Sequence, residues 1–184
     1  MIYDKKSRKK LVKVLFFIIK LDIFLIPLFF LLQMDFSYEP LQDFLANAVS
    51  STLNFLGYVA TLNGHYISTA FGKNITIIDI SMDCTGWKSA YTLVALAIAT
   101  PFAWSKRLNF LLASIPTILF INYVRIVSTI VYAQIFGQHY IDIVHNIFWQ
   151  EGLVLAVLIL WIFWLWISKK RAKTINPLGR KYNI

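Results

Sequence analysis

Four stretches of this chain, residues 14–32, 85–103, 108–135 and 146–167, are apolar with few charges. Runs of about 20 such residues match the roughly 30 Å hydrocarbon core of a bilayer rather than the interior of a soluble domain. Lipid offers no water to satisfy backbone N–H and C=O groups, so a spanning segment must pair them internally, and runs of this length do so as helices. Composition points the same way. The chain is 58% hydrophobic and 15% charged, against about 25% charged in soluble proteins. The expectation is an all-α polytopic membrane protein, a single integral membrane domain over residues 1–184 with four spanning helices.

A formal net charge of +9 could signal nucleic acid, but the positions of the charges exclude that partner. Lys5, Lys6, Arg8, Lys9, Lys10 and Lys13 precede the first run, and Lys169, Lys170, Arg171 and Lys173 follow the last. Basic clusters abutting apolar runs are positive-inside anchors. Trp104-Ser105-Lys106-Arg107 is a basic link between two runs and belongs on the same side. With both termini cytoplasmic, all of the 18 basic residues except Lys20, Lys73, Lys88 and Arg125 lie on the inner side. No small-residue cleavage site follows the first run, so residues 14–32 read as an uncleaved anchor in the cytoplasmic membrane. Lys20 and Asp22 lie within it, two apart, and do not face each other on a helix.

Between the first two runs the pattern changes twice. Over residues 41–62, Leu41, Phe44, Leu45, Ala48, Val49, Leu53, Leu56 and Val59 recur at helical spacing among polar residues. That pattern suits an amphipathic helix on the outer surface or over the mouth of the bundle, with membrane embedding as the alternative. Residues 65–80 are rich in β-branched side chains and are broken by Phe71-Gly72-Lys73-Asn74. A short extracytoplasmic β-hairpin is expected there.

This orientation brings three reactive side chains to one depth. Cys84 precedes the span that enters from outside at 85, and His145 precedes the one that enters at 146. Arg125 lies about 17 residues beyond Leu108, a rise of roughly 26 Å from the inner face. An arginine within a span is costly unless it faces the bundle interior. A thiol attacks as its thiolate, a form favoured by helix starts and nearby cations. An imidazole exchanges protons near neutral pH, and a guanidinium donates fixed hydrogen bonds to a developing oxyanion. Cys84, Arg125 and His145 thus form a set suited to attack on an amide or ester.

Each residue also has a plainer reading. A lone cysteine is often an inert packing residue. His145 could cap or hydrogen-bond at the interface. Lys88, one turn beyond Cys84, is better read as a snorkelling side chain than a catalytic one. His65 and His139 have no such positional support and read as structural or exposed. The single cysteine rules out an intrachain disulfide and a multi-cysteine metal site. No metal site or cofactor is expected.

Asp83-Cys84-Thr85-Gly86-Trp87-Lys88-Ser89 resembles the cysteine motif of the exosortase/archaeosortase family, a Cys, then Ser or Thr, then Gly, at the start of a membrane helix. Asn122-Tyr123-Val124-Arg125-Ile126 is similar to that family's Asn-x-x-Arg block. His145, followed by Asn146 to Gly152, resembles its closing histidine segment. Order and intervals agree over roughly residues 40–167. The resemblance implies a sortase-like membrane cysteine transpeptidase or protease with Cys84 as nucleophile and Arg125 and His145 completing the triad. Asn122, Lys88, Gly86 and Asn146 are then the supporting or substrate-binding positions. It further implies partners that are exported proteins ending in a motif, a hydrophobic helix and a basic tail, with a membrane lipid as a candidate acceptor. Two other readings stay open on the residues alone. A membrane phosphatase or lipid-modifying enzyme would also gather Arg and His at a membrane face, and a non-catalytic assembly subunit would need none of the three.

Overall fold

The computed structural model describes residues 5–34, 36–71, 74–137 and 150–175. Five helices and one small sheet make up the described fold. Helix α1 covers Lys5–Gln33, α2 Glu39–Phe55, α3 Trp87–Ala99, α4 Trp104–Phe136 and α5 Gln150–Ile175. Strands β1 (Ala60–Asn63), β2 (Tyr66–Phe71) and β3 (Asn74–Asp79) lie between α2 and α3.

Three helices are long and apolar enough to cross a membrane, with candidate spans at Ser7–Gln33, Trp104–Phe136 and Gly152–Lys170, and Trp87–Ala99 is a shorter apolar helix. The mostly helical membrane fold expected from the sequence is therefore present. Helix α3 has 13 residues, about 20 Å of rise. It starts later than the apolar run because Gly86 adopts φ +79 and a 3-10 turn over Met82–Thr85 precedes it. It stops at Thr100, whose hydroxyl and N–H both bond the Leu96 carbonyl, just before Pro101.

Two apolar clusters share α4. The first joins Leu93, Leu96 and Ala97 of α3 to Phe110 and Ile118 of α4 and Leu153, Val157 and Trp164 of α5, with Phe17 and Leu21 of α1 packed against them. Tyr91 ties α3 to α1 by donating its hydroxyl to the Phe24 carbonyl at 2.8 Å. The second cluster joins Ala46, Val49 and Leu53 of α2 to the sheet and to Ile126, Val127, Ile130 and Ala133 of α4. Helix α4 has 33 residues, about 50 Å at the helical rise. Its length exceeds the apolar core of a bilayer, so its last turns can pack against the sheet.

The region between α1 and α3 differs from the sequence expectation in two ways. The helix expected over 41–62 ends at Phe55, because Gly57 adopts φ +89 and Asn54 turns its side chain onto the chain ahead. Asn54 Nδ2 donates to the Ala60 carbonyl at 2.9 Å and its Oδ1 accepts from the Ala60 N–H at 3.0 Å. Both backbone groups at the start of β1 are thereby satisfied. The hairpin is present as β2–β3, with register from Tyr66 opposite Asp79 to Phe71 opposite Asn74. To it β1 adds a third antiparallel strand, Ala60 opposite Thr69 and Asn63 opposite Tyr66. Side chains of β2 alternate, with Ile67, Thr69 and Phe71 facing the core, the period expected of a half-buried strand.

The buried face of α2 is partly polar, and its polar groups hold the sheet in place. Gln42 Nε2 donates to the Ile80 carbonyl at 3.1 Å and Ser50 donates to the Ala60 carbonyl at 3.3 Å. Phe44 and Leu56, which the helical spacing would bury, are exposed. At the far end Gln134 of α4 donates to the Thr69 hydroxyl at 2.6 Å. Tyr123 of α4 donates to the Ala48 carbonyl and also bonds the Thr52 hydroxyl.

Candidate active site

Cys84 lies in the 3-10 turn between β3 and α3, where α2, α3 and α4 converge. It is partly buried. Its N–H donates to the Ser81 carbonyl at 2.9 Å, and its Sγ lies 3.4 Å from the Ser81 hydroxyl. Thr85, the next residue, is buried and donates its hydroxyl to the Met82 carbonyl at 2.7 Å, which closes the turn. Cys84 is thus held by a turn ahead of the helix rather than in the helix itself.

A hydrogen bond joins the blocks Cys-Thr-Gly and Asn-x-x-Arg. Asn122 is 1% exposed, and its Nδ2 donates to the Cys84 carbonyl at 2.6 Å. A Cβ added to Gly86 would stand 3.1 Å from the Asn122 Cγ and Nδ2. Gly86 is therefore required twice, for its left-handed backbone and for the space that Asn122 fills. Those two demands explain why a glycine follows Cys84 at this spacing.

One helical turn beyond Asn122, at i+3, Arg125 lies on the same face of α4. It is 9% exposed, so its side chain turns into the protein and away from lipid. The Ser128 and Thr129 hydroxyls both bond its backbone carbonyl, at 2.9 and 2.8 Å. Cys84 and Arg125 line one cavity of about 130 Å³, walled mainly by isoleucines of β3 and α4 and by Phe71, with Asp79 and Thr129 also on its lining.

A second, wider cavity of about 380 Å³ shares Asp79 with the first. Its lining includes Phe36, Gln42, His65, Asp79, Ser81, Asp83, Trp87 and Lys88. Lys88 pairs with Asp83 at 2.7 Å, so its ammonium is directed to the carboxylate beside Cys84. His65 is more than a surface residue. Its ring nitrogens lie 3.6 Å from Asp43 and 3.8 Å from Asp79, and its ring packs on Tyr66.

Five of the seven residues singled out in the sequence lie among the described residues: Cys84, Gly86, Asn122 and Arg125 come together, while Lys88 lines the second cavity and pairs with Asp83. The other two, His145 and Asn146, lie outside the described residues, as does His139. Asp79 and Ser81 join the site without having been expected there. Both are close to Cys84 in sequence, and the strand that brings them there ends at the cysteine turn, which was the available signal. Among the described residues no group of three or more metal-ligating side chains is arranged to hold an ion.

Chemically, the described part of the site offers a thiol residue and an arginine on the lining of one small, mainly apolar cavity. No curated protein and no solved structure matched the chain. A family model described as transmembrane exosortase matches residues 7–165. Exosortases are membrane proteases and transpeptidases that act on exported proteins with C-terminal sorting signals. The match takes in every described element that builds the site, and most of the sequence: the chain belongs to the transmembrane exosortase family.

Proposed function

We propose that this protein is a membrane-embedded cysteine transpeptidase that cleaves C-terminal sorting signals from exported proteins at the outer face of the cytoplasmic membrane. The observation that carries the reading is the shared cavity of Cys84 and Arg125, held in register by the Asn122 bond to the Cys84 carbonyl. The positive-inside pattern of the basic residues supports the outward orientation, with both termini inside.

In this reading the tail helix of the substrate docks beside the spans and leaves its motif at the site. The Cys84 sulfur attacks the scissile carbonyl carbon, and Arg125 donates to the oxygen as it becomes negative. The tetrahedral species collapses to a thioester at Cys84. The C–N bond breaks, and His145 supplies the proton that the departing amine takes up. An amine acceptor, such as one carried by a membrane lipid, then attacks the thioester and regenerates the thiol, completing transpeptidation. Water in that place gives proteolysis. The sheet and α2 roof the site and limit water entry.

The test is co-expression with an exported protein that ends in a motif, an apolar helix and a basic tail. Cys84→Ala should abolish shortening of that protein while the enzyme's membrane abundance stays at the wild-type level. Continued shortening by the variant removes the nucleophile assignment.

A further inference from the structure

The cavity beside Cys84 has a size and chemistry that say more than where a nucleophile sits. Phe71 and Ile80 are buried in the core cluster, as are Ile126 and Ile130 of α4, and with Ile78 they form its walls. At about 130 Å³ it is slightly smaller than an apolar cavity of roughly 150 Å³ that stays dry and takes up benzene. A branched aliphatic group with up to about four carbons fits such a space, and a fused aromatic ring system does not. Its polar lining consists of Asp79, Arg125 and Thr129 beside Cys84. Arg125 is turned inward, and Asp79 faces His65 on the neighbouring cavity. A charged side chain entering this mainly apolar space would lose most of its hydration there.

We infer that this cavity is a side-chain subsite beside the scissile bond and that it selects a substrate residue bearing a compact aliphatic side chain, of valine to isoleucine size. The inference rests on reading Cys84 as the nucleophile, because only then is a group seated against the sulfur a part of the substrate. Binding of the side chain aligns the adjacent carbonyl with Sγ and with Arg125.

The sole cysteine makes the subsite testable without a known substrate. Purified full-length protein is treated with a series of alkyl methanethiosulfonates and followed by intact mass. The Cys84 thiolate attacks the sulfenyl sulfur, a Cys84–S–S–alkyl disulfide forms, methanesulfinate leaves with the bonding pair, and the thiol proton goes to buffer. A Cys84→Ala, Thr61→Cys double variant carries a thiol on the exposed β1 strand and corrects for partition of each reagent into the micelle. Each buried methylene favours reaction by roughly fourfold. Relative to the reporter position, the butyl reagent is therefore expected to label Cys84 more than fivefold faster than the methyl reagent. A naphthylmethyl reagent should fall below methyl, and Ile130→Ala should restore it.

A corrected butyl preference of fivefold or less at Cys84 overturns the subsite, as does a sulfonatoethyl reagent that outruns butyl. Both outcomes are read with the cavity walls unaltered, so neither depends on Ile130→Ala folding. Failure of the subsite is distinct from failure of the enzymatic reading. A flat reagent series with intact substrate processing rejects only the subsite. A steep series with no processing in the tail-bearing host keeps the cavity and rejects the enzyme.

Discussion

Replacing Gly86 with alanine should test whether the cysteine turn is held by Asn122, because the expected cost has two separable parts. At φ +79 an L-residue is strained, by about 1–2 kcal/mol. The added Cβ would also lie 3.1 Å from the Asn122 amide, and Asn122 is buried with little room to yield. If the amide moves, it loses its 2.6 Å bond to the Cys84 carbonyl and leaves a partly buried acceptor unmatched, about 1–3 kcal/mol more. Gly86→Ala should therefore destabilise the protein by about 2–5 kcal/mol in all. In an Asn122→Ala background the two amide contacts are gone and only the Cβ of that position, 3.3 Å away, still faces the new methyl, so the cost should fall to mainly backbone strain, about 1–2 kcal/mol. The four proteins of this double-mutant cycle are compared by thermal unfolding in one detergent, and processing is assayed in parallel. A Gly86→Ala cost that is the same in both backgrounds would refute the reasoning, since it would mean that Asn122 does not feel the new methyl group.

Other expectations are simpler. Arg125→Lys keeps the positive charge but loses the planar fork that can donate two aligned hydrogen bonds, so processing should drop by about a hundredfold or more, the scale of losing an oxyanion donor; rates near wild type would show that charge alone suffices. Asn54→Ala removes two hydrogen bonds from the Ala60 backbone, whose carbonyl keeps its Ser50 donor, and should lower stability by about 1–3 kcal/mol, with faster amide exchange in residues 58–63 as the local signature. Gln134→Leu removes the bond between α4 and Thr69, and proteolysis of the sheet region should become faster while the spanning helices stay protected.

Much of this fold is legible in the sequence because lipid imposes strict rules. The apolar runs at 14–32 and 108–135 fall within α1 and α4, which begin nine and four residues earlier, and neither run contains a residue that must leave a helix. Pro27 and Pro116 both lie inside their helices. Residues 56–63 are harder because two periods overlap there. Leu53, Leu56 and Val59 continue a helical spacing, yet Gly57 and the Asn54 side chain end the helix and β1 follows. The pair Asn63-Gly64, a common start to a tight hairpin turn, carries the correct signal. The stronger apolar pattern ahead of it outweighs that signal.

The site is legible as residue types and not as contacts. Cys84 and Arg125 can be placed at one depth from helical rise alone, and they do line one cavity. That Asn122 bonds the Cys84 carbonyl and that Gly86 makes room for it depend on side-chain packing between α3 and α4, which no spacing rule contains. His65 illustrates the same limit. Nothing near it in sequence marks Asp43 and Asp79 as its neighbours, because α2 and β3 meet only once the sheet has closed. Spacing suggests that Lys88 reaches toward the membrane surface but does not reveal its partner, Asp83, five residues earlier across the turn.

The most direct test of the central claim is to trap the intermediate itself. Enzyme co-expressed with a tail-bearing exported protein is quenched in acid, and the Cys84 peptide is analysed by mass spectrometry. The predicted result is an acyl adduct on the Cys84 sulfur, ending at the cleavage site of the substrate and released by hydroxylamine. Accumulation of cleaved substrate with the thiol of Cys84 always unmodified, or cleavage undiminished in Cys84→Ala, would contradict it.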